Sequence, residues 1–358
     1  MAESTDLSGD SYDYSLPSER IRLVPPGQRE ESRLLVSPRD PGDLRELSFR
    51  RVFDLPEILS PGDRLVVNDS RVVPARVQAR TPSGRKVELL ILGPFETLSP
   101  HRVRFLSKGL KKASRLSLFS DRGEIGEIVF DESEGSFSGE YRGERELTSE
   151  LLAEGEMPLP PYIARMRPAD ASDRERYQTV YSRVPGSVAA PTAGLHLGAG
   201  LLKCLEDRGI GISAVTLHVG LGTFRPLSPG PLSGHRMHSE WFEVSERTAK
   251  EIAETRSAGG RIVAVGTTAL RTLESAYNRA GEDGKIPACS GWTDLFIRPG
   301  HVFGPVDGLL TNFHTPRSTL LVLVDAFLGG DGRWRGIYDR ALKEGFFFLS
   351  YGDAMLIL

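Results

Sequence analysis

The chain has 358 residues, with 45 Lys and Arg against 48 Asp and Glu, for a formal charge of −3. That length suits two domains, and the near-neutral balance excludes a generic polycation for nucleic acid or membranes unless charge is clustered. Cys204 and Cys289 alone cannot build a disulfide framework or a four-thiolate zinc site, and they suit a reducing cytosol. The 38 glycines and 24 prolines exceed the ordinary share of about 12%, yet 39% hydrophobic residues rule out disorder, so the excess implies turns and short strands. The start, MAESTDLSGDSYDY, lacks an apolar signal core, and the apolar run Leu320 to Val324 stops at Asp325, so a soluble cytoplasmic protein is expected.

Residues 1–45 are polar and punctuated by Pro and Gly, followed within them by a strand at Ser32-Arg-Leu-Leu-Val36. From about 64 to 141 come LVVND, VVPARVQAR, KVELLIL, RVRFLS, RLSLF, GEIVF and FSGEY, short strand-like runs between turn residues. They predict a small antiparallel sandwich or barrel. The second half alternates differently. Helices are expected at 200–209, stopped by Gly209, at 245–260, at 267–281 and over STLLVLVDAFLGG. Strands are expected at 214–219, at 261–265 and over DLFIRP. This alternation predicts a largely parallel, barrel-like α/β body. The simplest organisation is a body of 1–75 and 151–358 with an inserted β-barrel module at 76–150.

The small net charge hides two opposed strips. Arg102, Arg104, Lys108, Lys111, Lys112 and Arg115 fall within 97–120 without an acid, whereas 121–150 holds ten acids and three bases. The basic strip suits RNA phosphates or, equally, a solvated strand edge. Other signatures fail. There is no phosphate-binding P-loop, no G-x-S-x-G elbow and no P-C-x-x-C after His238-Ser-Glu240, and Gly220-Leu-Gly222 lacks the third glycine of a dinucleotide fingerprint. No histidine spacing supports a metal site.

Polar clusters nevertheless sit where strands end, the place where open α/β sheets hold ligands. Asn68-Asp69-Ser70-Arg71 follows LVV, and Gly266-Thr267-Thr268 joins a strand to its helix, where hydroxyls cap the helix or an anion binds. GSVAAPTAGLH (186–196) combines small residues, Thr192 and His196, which permit either close approach to a planar ligand or tight packing. Thr216 and His218 share a strand face before Gly220, Thr223 and Phe224, and Arg176, Tyr177 and Gln178 occupy a charged stretch after Pro160-Pro161-Tyr162.

Taken together, LVVNDSRVVPARV, MPLPPYIAR, DRERYQTVYS, GSVAAPTAGLHL, VTLHVGLGTFRPL, MHSEWFEV, VAVGTTALRTLES, LLTNFHTPRSTLLVLV and SYGDAMLIL resemble the S-adenosylmethionine:tRNA ribosyltransferase-isomerases of queuosine biosynthesis. The likeness runs in order from about Tyr12 to the end, with departures at Leu197, Thr315-Pro-Arg317 and Ile21-Arg-Leu-Val24. It implies an α/β barrel-like body with a β-barrel module. It also implies transfer and isomerisation of the ribosyl part of S-adenosylmethionine onto the 7-aminomethyl-7-deazaguanine at the wobble position of a tRNA with a GUN-type anticodon. Epoxyqueuosine-tRNA, adenine and methionine would be the products, S-adenosylmethionine the co-substrate, and no metal or redox cofactor would be used; a monomer is the default.

The chemistry this implies needs a base for a ribose proton, for which His196, His218, His238 and His314 are candidates. An acid beside departing adenine draws on Asp69, Glu240 or Asp353. The sulfonium suits an aromatic face of Phe224, Tyr177 or Phe313. Thr267 and Thr268 would hold the methionine carboxylate, and Arg71, Arg165, Arg176 and Arg271 would steer anions, with Asn68, Gln178, Thr192 and Thr223 as further contacts. The alternatives are a non-catalytic RNA-binding protein and an S-adenosylmethionine-dependent methyltransferase.

Overall fold

Strands buried on both faces read as continuous apolar runs, and runs of this kind form the centre of the sheet on which the molecule is built. The computed structural model describes residues 7–358 except 41–43, 93–101, 109, 113, 115–116, 121–122, 133–135, 144–154, 221–226, 228 and 282–283. In chain order the strands begin with β1 (Arg33–Ser37), β2 (Ser48–Arg51), β3 (Arg64–Asn68) and β4 (Ser70–Val72). Seven follow within the predicted module: β5 (Arg76–Arg80), β6 (Lys86–Leu92), β7 (Arg102–Lys108), β8 (Leu118–Ser120), β9 (Gly123–Ile125), β10 (Val129–Asp131) and β11 (Ser136–Gly143). The rest are β12 (Val184–Ser187), β13 (Gly211–Leu217), β14 (Glu240–Val244), β15 (Ile262–Val265), β16 (Cys289–Thr293), β17 (Gly308–Asn312) and β18 (Ala354–Ile357).

The main sheet has nine strands in the order β16-β14-β13-β3-β15-β17-β18-β1-β2. β13, β3, β15 and β17 are mutually parallel, as are β18 and β1, while the other contacts are antiparallel. The body is therefore mixed rather than largely parallel. The reason is topological: β14 and β16 extend one side antiparallel, and the last strand of the chain enters between β17 and β1. Among the described residues the sheet has two ends and does not close into a barrel.

Alternation divides the core. Leu65, Val67, Val263, Val265, Leu310 and Leu356 pack with Leu201 and Leu205 of the helix α1 (Ala199–Asp207). Val66, Ala264, Leu309 and Met355 join the opposite cluster with residues of α3 and α4, where α2 is Glu246–Ser257, α3 Gly266–Tyr277 and α4 Thr319–Phe327. Trp334, Ile337 and Tyr338 of a further helix, α5 (Trp334–Lys343), complete that cluster. Helix ends follow local chemistry: the Ser245 and Ser318 side chains cap α2 and α4, accepting from the Thr248 and Leu321 amides. DLFIRP (294–299) is not a strand. The pairing of β16 with β14 ends at Thr293 opposite Glu240, and the Leu295 amide then turns back to Thr293 Oγ1.

Residues 76–143 form a second, antiparallel sheet in the order β10-β11-β7-β6-β5-β8-β9, with β9 also pairing with β11. Its inward side chains, among them Val87, Leu89, Phe105 and Phe137, make a further cluster, joined by Val73, Ala75 and Val188. The arrangement is thus mixed α/β with a smaller all-β sheet. Of the basic strip, Lys111 and Lys112 are exposed, with Lys112 Nζ over the Phe130 ring, and Arg115 lies outside the described residues. No helix among the described residues is long and apolar enough to cross a membrane.

Candidate active site

Parallel strands leave their C-terminal ends open to ligands, because the following chain departs to either face of the sheet. Here β15 passes directly into α3 at Gly266, whose φ of +89° suits glycine, and Thr267 and Thr268 begin the helix. β17 ends at Asn312, and Phe313, His314 and Thr315 follow it. Between these ends lies a cavity of about 390 Å³, also walled by Pro161, Tyr162, Arg165, Ala189 to Ala193, Val219, Leu349 and Ser350. That volume is in the range of small-ligand sites. The small side chains of Ala189, Ala190 and Ala193 keep one wall close to backbone width. The described lining contains no Asp or Glu, and its one Lys or Arg is Arg165, exposed at the rim.

Polar groups on the wall are held by a buried chain of hydrogen bonds. Thr192 Oγ1 donates to Asn312 Oδ1 at 2.9 Å, and Asn312 Nδ2 donates to the Leu349 carbonyl at 3.2 Å. Because a carbonyl only accepts, the nitrogen end of the amide is fixed. The same nitrogen lies 2.9 Å from His196 Nε2, which must therefore accept, and His196 Nδ1 donates to Ser32 Oγ at 3.0 Å. His196 is neutral in this arrangement, and burial, with Arg22 and Arg29 nearby, pushes its pKa down to about 4. It stands behind the wall as a support for Asn312. His314 is different. It lines the cavity, its Nε2 is 3.0 Å from Thr311 Oγ1, and burial lowers its pKa to about 3. Thr268 Oγ1 is buried in the lining without a hydrogen-bond partner among the described residues, at the first turn of a helix whose leading amides favour an anion.

Of the other residues singled out in the sequence, Thr192, Thr267, Thr268, Arg165 and His314 meet at this cavity, together with Phe313. The Phe313 ring, however, is fully buried against Tyr338, Phe346 and Phe348. The rest are not in the described lining, and their bonds explain their burial. Asn68 Oδ1 accepts from the Ser70 and Leu217 amides while its Nδ2 donates to the Leu217 carbonyl, tying β3 to β13. Asp69 accepts from Thr216 Oγ1 at 2.6 Å and from Arg183 at 2.8 Å. Gln178 pairs with both backbone groups of Val72, like an added strand. Tyr177 is buried edge-on to Tyr351, and Arg176 donates to the carbonyls of Pro26 and Gly27. Asp353 accepts the Arg33 and Phe347 amides, and burial raises its pKa.

His218 stacks on Trp241 with centroids 5.2 Å apart, and burial lowers its pKa to about 4. Gly186 makes room for it: a Cβ there would stand 2.4 Å from the imidazole. Glu240 and Arg271 form a buried ion pair, in which Glu240 also accepts the Gly220 amide at 2.8 Å. His238 and Arg71 are exposed, and Thr223 and Phe224 lie outside the described residues. Tyr162, Thr311, Asn312 and Ser350 were not singled out. Asn312 and Thr311 carried a signal, the strand end before Phe313-His314, whereas Tyr162 and Ser350 come from distant segments joined by the Ser350 amide donating to the Tyr162 hydroxyl at 2.8 Å. No group of three or more His, Cys, Asp or Glu able to share a metal ion occurs among the described residues.

The family profile described as queuosine biosynthesis protein matches residues 9–357. An S-adenosylmethionine:tRNA ribosyltransferase-isomerase of Anaeromyxobacter dehalogenans (strain 2CP-1) is 48% identical over 97% of this chain and 98% of its own length. One from Halothermothrix orenii is 47% identical, covering 98% of this chain and 99% of its own. Among solved structures, the S-adenosylmethionine tRNA ribosyltransferase of Thermotoga maritima superposes with a TM-score of 0.54 at 32% identity, covering 97% of this chain and 100% of that one. The chain belongs to the queuosine biosynthesis protein family.

Proposed function

We propose that the cavity at the ends of β15 and β17 receives S-adenosylmethionine, and that its ribosyl part is transferred and isomerised there onto tRNA. The chain is a transferase-isomerase acting on these two substrates in queuosine biosynthesis. The observation that carries the cavity assignment is Thr268. Its hydroxyl is buried and, among the described residues, unpartnered at the start of α3, where the methionine carboxylate would find both this donor and the leading amides of the helix. His314 would take the ribose proton beside the sulfonium. With Nε2–H donating to Thr311, Nδ1 carries the lone pair. Arg165 at the rim would meet tRNA phosphate.

The acceptor in this reading is the 7-aminomethyl-7-deazaguanine at the wobble position of a GUN-type tRNA. The products are epoxyqueuosine-tRNA, adenine and methionine, with no cofactor beyond the co-substrate, in a cytoplasmic monomer. Division into a body (1–75 and 151–358) and an inserted barrel module (76–150) is supported by the separate sheet of 76–143, into whose core Val73, Ala75 and Val188 of the body also pack. The test combines protein, S-adenosylmethionine and tRNA carrying the aminomethyl base. Adenine and methionine should be released together. S-adenosylhomocysteine would instead mark a methyltransferase, and RNA binding without turnover a non-catalytic protein.

A further inference from the structure

A sulfonium that leaves water for an enclosed site needs an anion, a dipole or an aromatic face. The described wall contains no Asp or Glu, and the start of α3 carries partial positive charge that suits the carboxylate rather than the sulfonium. An aromatic face remains. In the described lining the aromatic rings are those of Phe313, Tyr162 and His314, and the His314 imidazole is engaged with Thr311. The Phe313 ring is sealed among Tyr338, Phe346 and Phe348, with centroids 5.3, 5.7 and 4.7 Å away, and has no face to offer. Tyr162 keeps part of its surface open, and the Ser350 amide, 2.8 Å from its hydroxyl, fixes it in the wall.

We propose that the ring of Tyr162 is the surface on which the sulfonium of S-adenosylmethionine rests, an inference that rests on the assignment of this cavity to that substrate. The ring then does more than bind. When the carbon–sulfur bond breaks, its electron pair goes to sulfur, the sulfonium becomes the neutral thioether of methionine, and the attraction ends. The ring thus favours the charged co-substrate over the spent one. The same contact makes the site prefer S-adenosylmethionine to the neutral thioether S-adenosylhomocysteine.

The experiment measures affinity for both ligands by calorimetry in the wild type, Y162F and Y162L. Wild type and Y162F should share one preference for S-adenosylmethionine, since both keep the ring. Y162L should bind S-adenosylmethionine about tenfold more weakly while S-adenosylhomocysteine changes less than about twofold. An unchanged ratio in Y162L overturns the proposal, because a merely structural role would weaken both ligands alike. Should Y162L not fold, Y162F carrying one, two and three ring fluorines should lose S-adenosylmethionine affinity stepwise, and the absence of a gradient overturns the proposal. A wild type that binds neither ligand instead removes the cavity assignment itself.

Discussion

Asn312 and His196 fix one another: the amide nitrogen of Asn312 lies 2.9 Å from His196 Nε2 and 3.2 Å from the Leu349 carbonyl, so the histidine is held neutral with its proton on Nδ1. Through Thr192, which donates to the other end of the amide, this pair sets the shape of one cavity wall. N312D replaces the donor with an acceptor that faces the His196 lone pair. It should cost about 3 kcal/mol at pH 8, the scale of a buried group left unsatisfied. The deficit relative to the wild type should shrink as pH falls, because protonating either group restores a donor. Urea unfolding of both proteins at pH 8 and pH 5 checks this, and a pH-independent deficit would contradict it.

Three buried histidines also set how the whole protein responds to acid. His196 and His218 are lowered to about 4 and His314 to about 3, burial being the largest cause in each. Unfolded, all three take up protons near 6.5, whereas folded they do not until far lower pH. Stability contributed by their neutrality is therefore complete above about 6.5 and is lost as pH falls toward 4, by up to about 1.4 kcal/mol per pH unit for each histidine. Asp325 and Asp353, raised mainly by burial, act in the opposite sense nearer the carboxyl range. Urea midpoints should thus fall between pH 7 and pH 5. A flat profile there would show that the three imidazoles are not held neutral.

The Glu240–Arg271 pair joins β14 to the helix that begins at the cavity, with both side chains 4% exposed. Arg271 Nε also donates to the Leu295 carbonyl at 3.1 Å, and its Nη2 has no partner among the described residues. E240Q leaves a buried guanidinium without its counter-charge and should cost about 3–5 kcal/mol. The double variant with E240L and R271M, which removes both charges, should recover most of that loss. Chemical denaturation of the single and double variants decides the matter, and additive losses would contradict the account.

How far the sequence could be read depended on whether local chemistry or distant packing decided the outcome. The helix starts at Ser245 and Ser318, the stop at Gly209 and the continuous apolar runs of β3 and β15 are local, and they were legible. α5 was not, although Trp334, Ile337, Tyr338 and Ala341 mark its buried face. DLFIRP read as a strand because its composition is strand-like, yet pairing partners, not composition, end β16 at Thr293. At the site, Thr267 and Thr268 were visible because they follow a strand, Thr192 because it sits in a run of small residues, and His314 through the family resemblance. Tyr162 and Ser350 were not, being 188 residues apart and joined only by the fold. Asp69, Asp353 and Asn68 were legible as polar groups, but their burial and their bonds to backbone or ion-pair partners are set by distant segments, and neither is written in a single sequence.

The central claim, that this cavity holds S-adenosylmethionine with its carboxylate at the start of α3, is tested most directly by calorimetric titration of T268V. Valine preserves the shape of Thr268 and removes a hydroxyl that is buried without a partner among the described residues, so the unliganded protein should melt at the wild-type temperature or slightly above it. Its affinity for S-adenosylmethionine should nevertheless fall about tenfold, the loss of one hydrogen bond to a charged group. Wild-type affinity in T268V would contradict the placement of the co-substrate in this cavity.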